Sequence, residues 1–83
     1  MKGRACDYCV EMAEVGTRIR TLRQKKGISI HQMERYFGIS PQALYKWERG
    51  MAIPEIQNLV ALSRLLGVTV DELLVGNKYP LVA

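Results

Sequence analysis

The chain has 83 residues, enough for one small domain, and 48% of them are hydrophobic, an ordinary share for a folded globular protein. No apolar run approaches the roughly 20 residues that a transmembrane helix needs, and the first residues lack the apolar stretch of a secretion signal. We therefore expect a cytoplasmic protein with no membrane span, and the formal net charge is +4.

Five helices and no strands are the simplest prediction from the spacing of apolar residues. The first helix covers about Glu11–Lys26, with Gly27 as its stop. Its apolar face is formed by Val15, Ile19 and Leu22.

The second predicted helix runs from about Ile30 to Phe37. Ser29 is a good N-cap for it, and Gln32 follows three residues later, as in a capping box. Gly38 suits the left-handed position directly after the helix, because glycine adopts a positive φ without steric cost.

The third predicted helix is Pro41–Arg49, capped by Ser40 and ended by Gly50. The apolar residues on either side of the glycine turn have helical spacing; they are Met33, Phe37, Ile39, Leu44 and Trp47. Two short helices joined by a tight turn are typical of a helix-turn-helix, which lays its second helix in the major groove of DNA.

The fourth predicted helix spans about Glu55–Leu66 and stops at Gly67. It is apolar on more than one side, so we expect it to be the most buried helix. Thr69 and Glu72 form a second capping box that opens a short fifth helix. The apolar residues of that fifth helix are Val70, Leu73 and Leu74.

Three segments follow from these boundaries. Residues 1–15 are predicted to be an N-terminal extension, residues 16–76 the helix-turn-helix domain, and residues 77–83 a C-terminal tail. The tail and the fifth helix together carry more apolar side chains than one short helix can bury, so we expect them to form a dimer surface. Those side chains are Leu74, Val75, Tyr79, Leu81 and Val82.

Positive charge is concentrated in the middle of the chain. Residues 16–50 hold eight Lys and Arg against two Glu, a net charge of +6, whereas the flanking segments are each slightly negative. Contacts with phosphate supply most of the non-specific affinity of DNA-binding proteins, so this distribution favours a polyanion as partner.

Three segments of the chain, IRTLRQKKGIS, FGISPQALYKWERG and LVALSRLLGVTVDELL, together resemble the phage-repressor-type (Cro/repressor, or XRE) helix-turn-helix family. The resemblance extends from about Ile19 to Leu74. It implies a compact five-helix, lambda-repressor-like domain that binds operator DNA as a dimer and regulates transcription. Glu34 stands where the family usually has a small residue, so we expect it to turn away or to pair with a nearby arginine, the candidates being Arg35, Arg49 and Arg64.

Base-reading residues are expected near the start of the third helix. Gln42 can bond both N6 and N7 of adenine, and Lys46, four residues on, can donate to guanine. Tyr45 either stacks on a sugar or thymine methyl group or packs half-buried against the domain.

Phosphate contacts are expected from Ser29, Ser40 and Arg49. The two serines stand at helix N-termini, where free amides and the helix dipole favour an anion, although capping alone would also explain them. The family pattern further implies an ion pair between Arg23 and Glu48, which would fix the third helix against the first.

Cys6 and Cys9 form a C-x-x-C motif that the resemblance does not explain. Three interpretations stay open: reduced, inert thiols; a zinc site; or a redox switch acting on a dimer. Zinc needs four ligands and one chain supplies two thiolates, so a zinc ion would have to bridge two chains. No other metal site and no cofactor is expected.

Two functions compete on this fold. The first is a sequence-specific transcriptional regulator, preferably a repressor, that binds a palindromic operator in double-stranded DNA as a homodimer. The alternative is a protein-interaction module of the antitoxin or anti-repressor type, with weak or no DNA binding. It is supported only by Glu34 and by Ile30, which stands where the family often has a glutamine that touches the DNA backbone. An enzyme is disfavoured, since the chain has neither a metal triad, nor a Ser/His/Asp set, nor a phosphate loop, and no small-molecule substrate is evident.

Overall fold

The computed structural model describes residues 10–76, and within that range it contains five α-helices and no strand. The helices are α1 (Met12–Lys25), α2 (Ile30–Phe37), α3 (Pro41–Glu48), α4 (Ile56–Leu66) and α5 (Val70–Val75). The prediction of an all-α, five-helix domain is confirmed. Because α1 begins at Met12, its first four residues fall in the segment expected to be an extension.

Local hydrogen bonds explain where the helices begin. The Ser29 hydroxyl accepts from the Gln32 amide at 3.0 Å, and the Gln32 side chain accepts from the Ser29 amide at 2.8 Å. Thr69 and Glu72 repeat this arrangement at the start of α5. Both capping boxes are confirmed, and each satisfies two amides that would otherwise lack a partner.

The helix-turn-helix is packed on a single core. Gly38 ends α2 with φ 69° and ψ 30°, the left-handed conformation that the short connection to α3 requires. The ring of Phe37 meets the Trp47 indole edge-on at 5.6 Å between centroids, which joins α2 to α3. The buried hydrophobic side chains come from all five helices and are Val15, Ile19, Met33, Leu44, Trp47, Leu59, Leu62, Leu66 and Leu73.

Gly16 allows α1 to touch the end of α3. A Cβ at this position would meet the carbonyl oxygen of Trp47 and would lie 2.5 Å from that of Glu48. These are backbone atoms, so no side-chain rotation could make room. The glycine therefore sets the distance between α1 and α3, and α1 continues through it unbroken.

Arg18 joins α5 to α1. Its Nε and Nη2 atoms donate to the carbonyl oxygens of Leu73 and Leu74, both at 2.8 Å. Its Nη1 atom also lies 3.7 Å from a Glu14 carboxylate oxygen. The last carbonyls of a helix lack internal partners and carry partial negative charge, so the guanidinium satisfies both needs.

Helix α4 is less buried than its composition suggested. Leu59, Leu62 and Leu66 reach the core, but Ile56 is 79% exposed and Val60 is also exposed. The two exposed residues are four apart and therefore share one face of the helix. The prediction that α4 is the most buried helix still holds, because three of its eleven residues are buried, the largest share among the five helices.

Candidate nucleic-acid interface

Helix α3 has one face in the core and one in solvent. Leu44 and Trp47 are buried, whereas Gln42, Tyr45 and Lys46 are exposed. The buried pair anchors the helix, so the exposed side chains are held at fixed positions along its outer surface. This is the geometry that a recognition helix needs in order to enter a groove.

The two capping serines lie at the N-termini of the paired helices. Ser29 caps α2, and the Ser40 hydroxyl accepts from the Ala43 amide at 3.3 Å at the start of α3. Both residues are exposed. Capping therefore uses each hydroxyl as an acceptor and leaves its own proton available to a phosphate oxygen.

Glu34 points to the surface rather than into the crossing of α2 and α3. Its side chain is 37% exposed, and its Oε1 atom lies 3.4 Å from Nδ1 of His31, one turn earlier on the same helix. Of the two expected arrangements, the structure shows the one in which Glu34 turns away, and the alternative pairing with an arginine is not formed. Because the carboxylate remains hydrated, the fold needs no buried cation to accommodate it.

Arg23 and Glu48 are brought together between α1 and the end of α3. Arg23 Nε donates to Glu48 Oε2 at 2.7 Å and Nη2 donates to Oε1 at 3.3 Å. The third arm, Nη1, donates to the carbonyl oxygen of Ile28 at 2.9 Å. The side chains are only 11% and 5% exposed, so this bidentate pair is shielded from solvent.

A small polar groove lies beside this ion pair. Its volume is about 280 Å³, and we call it the arginine groove; it is lined by Arg20, Arg23, Tyr45, Glu48 and Arg49. The Arg49 guanidinium carbon lies 5.6 Å from the centroid of the Tyr45 ring, in cation–π range. Tyr45 itself is 41% exposed.

Four exposed cations surround α3. Within residues 10–76, none of them pairs with an acidic side chain, whereas Arg18 and Arg23 do. The four are Arg20, Arg35, Lys46 and Arg49. The arginines of α1 thus divide into two that hold the scaffold and one, Arg20, that faces solvent, a division that linear charge counting could not make.

Two groups of predicted residues lie outside the described part of the chain. These are the cysteine pair Cys6 and Cys9, and the tail residues Tyr79, Leu81 and Val82. Their proposed roles in zinc binding, redox switching and dimerisation stay predictions.

Comparison with known proteins places this arrangement in context. The helix-turn-helix family model HTH_3 matches residues 19–73. The chain is 41% identical over 61 residues to the SPbeta prophage-derived uncharacterized HTH-type transcriptional regulator YonR of Bacillus subtilis, covering 74% of this chain and 56% of that protein. It spans 32% and 29% of two other curated relatives, so the chain corresponds to about half or less of these three proteins.

Solved structures share the fold. The c2 repressor of Salmonella phage P22, in complex with a synthetic operator, superposes with a TM-score of 0.71 at 38% identity, covering 76% of this chain and 96% of that one. SinR, the master regulator for biofilm formation, in complex with DNA, gives a TM-score of 0.63 at 33% identity, covering 71% and 95%. Both sequence identities are high enough that the similarity includes the sequence as well as the fold.

Proposed function

We propose, since this chain belongs to the helix-turn-helix family HTH_3, that it binds a palindromic operator in double-stranded DNA as a homodimer and represses transcription. The fold is the lambda-repressor-like DNA-binding fold, and the domain is a DNA-binding regulator rather than an enzyme. The P22 c2 and SinR structures, both solved with DNA, support DNA as the partner.

The outer face of α3 is the observation that carries the proposal. Gln42 and Lys46 are exposed on the same side, four residues apart, and the buried Leu44 and Trp47 anchor the helix from behind. In the proposed complex Gln42 bonds the N6 and N7 atoms of adenine, and Lys46 donates to guanine. Phosphates of the DNA backbone beside the major groove are bound by Ser29, Ser40 and Arg49.

Dimerisation through α5 is the second part of the proposal. Leu74 and Val75 are only partly buried at the end of α5, where a second copy would cover them. A two-fold dimer places two α3 helices on one face of DNA, so its operator is palindromic. Repression requires only that the bound dimer occlude a promoter. The location we propose is the cytoplasm, where the DNA of a bacterial cell lies.

No helix within residues 10–76 combines the length and apolar character needed to cross a bilayer.

The alternative function is a protein-interaction module, and one observation favours it. The exposed large side chains of Met51, Ile56 and Val60 lie in the connection before α4 and on α4 itself. Exposed apolar surface of this kind is typical of a protein contact.

Binding to random-sequence duplex separates the two functions. At about 50 mM salt we expect the wild-type protein to retard such duplexes in a gel, because phosphate attraction is sequence-independent and strong at low salt. Lys46→Ala is expected to weaken the retardation, and Arg64→Ala, which removes an exposed cation from α4, is the matched control. A wild-type protein that retards no duplex at this salt would favour the interaction module.

A further inference from the structure

The arginine groove joins residues from two helices. Arg20 and Arg23 are three apart on α1, and Glu48 and Arg49, at the end of α3, follow Tyr45 by three and four residues. Side chains three and four residues apart in a helix share a face, so each helix presents one continuous wall to the groove.

The groove has an uncompensated charge of two cations. Both oxygens of Glu48 accept from Arg23, and the remaining arm of Arg23 donates to the Ile28 carbonyl. The ion pair is therefore neutral, and each of the three guanidinium nitrogens of Arg23 donates a hydrogen bond within the protein. Arg20 and Arg49 are exposed and, within the described residues, make no ion pair, so their guanidinium groups are free for an anionic ligand.

Tyr45 is a wall of the same groove. Its ring lies 5.6 Å from the Arg49 guanidinium carbon, close enough to restrain that side chain over the ring face. A restrained planar guanidinium loses less freedom when it binds two oxygens of one phosphate. Tyr45 thus acts on Arg49 from within the groove instead of projecting alone from the tip of α3.

The location of the groove identifies the ligand. The major groove of DNA is about 12 Å wide and admits one helix, which is α3 in the proposed complex. The arginine groove has α1 as its other wall, so it faces the rim of the DNA major groove. The DNA strand at that rim offers phosphates and no base edges. We propose that the arginine groove binds one DNA backbone phosphate, clamped by Arg20 and Arg49, with Tyr45 positioning Arg49 and reading no base; this inference rests on the proposed function.

The test compares affinity and its salt dependence across variants. The dissociation constants of wild type, Arg20→Ala, Arg49→Ala, Tyr45→Ala and Tyr45→Phe are measured by fluorescence anisotropy from about 50 to 200 mM salt. Each protein is measured on a duplex selected by the wild type and on a random duplex. Arg64→Ala, from α4, is the control, and thermal melting verifies that each exposed-residue variant is folded.

We expect Arg20→Ala and Arg49→Ala each to weaken binding to both duplexes by the same factor. Each should also reduce the slope of log affinity against log salt concentration by about one. Tyr45→Ala should weaken binding to both duplexes equally, whereas Tyr45→Phe, which keeps the ring, should bind like the wild type. Arg64→Ala should leave the slope unchanged.

Two results would overturn the clamp. One is an Arg20→Ala protein whose salt slope equals that of the wild type. The other is a Tyr45→Ala protein that loses more affinity for the selected duplex than for the random duplex. Failure of the proposed function is a separate outcome, since the wild-type protein would then select no duplex and would not bind the random duplex.

Discussion

Replacing Gly16 with alanine is expected to destabilise the domain by about 3 kcal/mol and to lower its melting temperature by roughly 12–24 °C. The new Cβ would meet the backbone carbonyls of Trp47 and Glu48, so α1 and α3 would have to separate. Helix propensity acts in the opposite direction and favours alanine by about 1 kcal/mol. Circular dichroism melting of the variant measures which effect dominates.

Gly27→Ala is the control for Gly16→Ala. Gly27 has φ +70° and no atom within 4 Å of its built Cβ, so its replacement tests loss of glycine without a steric contact. We expect a cost of about 1 kcal/mol from the left-handed backbone alone. A Gly16→Ala protein that melts at or above the wild-type temperature would show that α1 and α3 are not in such close contact.

Removing Arg23 alone should destabilise the domain more than removing the whole ion pair. In Arg23→Met, the Glu48 carboxylate, only 5% exposed, loses both of its donors, and the expected cost is about 3–5 kcal/mol. The double variant Arg23→Met/Glu48→Leu has no stranded charge, so we expect it to be at least about 2 kcal/mol more stable than Arg23→Met. Urea unfolding of wild type, both single variants and the double variant gives the coupling energy.

If Arg23→Met and Arg23→Met/Glu48→Leu unfolded at the same urea concentration, the result would contradict the claim that Arg23 and Glu48 are coupled. Affinity for DNA is a second measurement on the double variant. If the pair also orients α3, the double variant should bind the selected duplex more weakly than the wild type although it is folded. Stability and orientation can thus be assessed on one protein.

Helix boundaries could be predicted from the sequence because their causes are local. The capping hydrogen bonds join residues only three apart and depend on little else; they are those of Ser29 with Gln32, Ser40 with Ala43, and Thr69 with Glu72. The same holds for the outer face of α3, since the helical period alone separates Gln42 and Lys46 from Leu44.

Contacts between distant parts of the chain could not be predicted in this way. The bonds from Arg18 to Leu73 and Leu74 join residues more than fifty positions apart, and an isolated arginine in a basic segment carries no sign of them. The role of Gly16 could not be predicted either, because only the position of α3 shows what its missing side chain accommodates. The pairing of Arg23 with Glu48 came from family resemblance, which carries such long-range information.

Exposure was the other quantity that periodicity misjudged. Ile56 is apolar and in helical register with Leu59, yet it is 79% exposed because no element covers that face of α4 within residues 10–76. Glu34 stands at a helix crossing and was expected either to turn away or to pair with an arginine, and its position in the sequence could not decide between the two. Its carboxylate, on a flexible stem, reaches solvent and His31. In both cases the outcome depends on the neighbouring surface and not on the residue.

Selection of bound duplexes from a random-sequence pool, performed with the wild type, Gln42→Ala and Gln57→Ala, tests most directly the claim that α3 reads bases. We predict that the wild type enriches a palindrome with half-site centres about 34–36 Å apart. Gln42→Ala should lose the preference for adenine at one position in each half-site, while Gln57→Ala, an exposed glutamine of α4, should enrich the wild-type sequence. A wild-type protein that enriches no sequence, or a Gln42→Ala protein that enriches the wild-type palindrome unchanged, would contradict the claim.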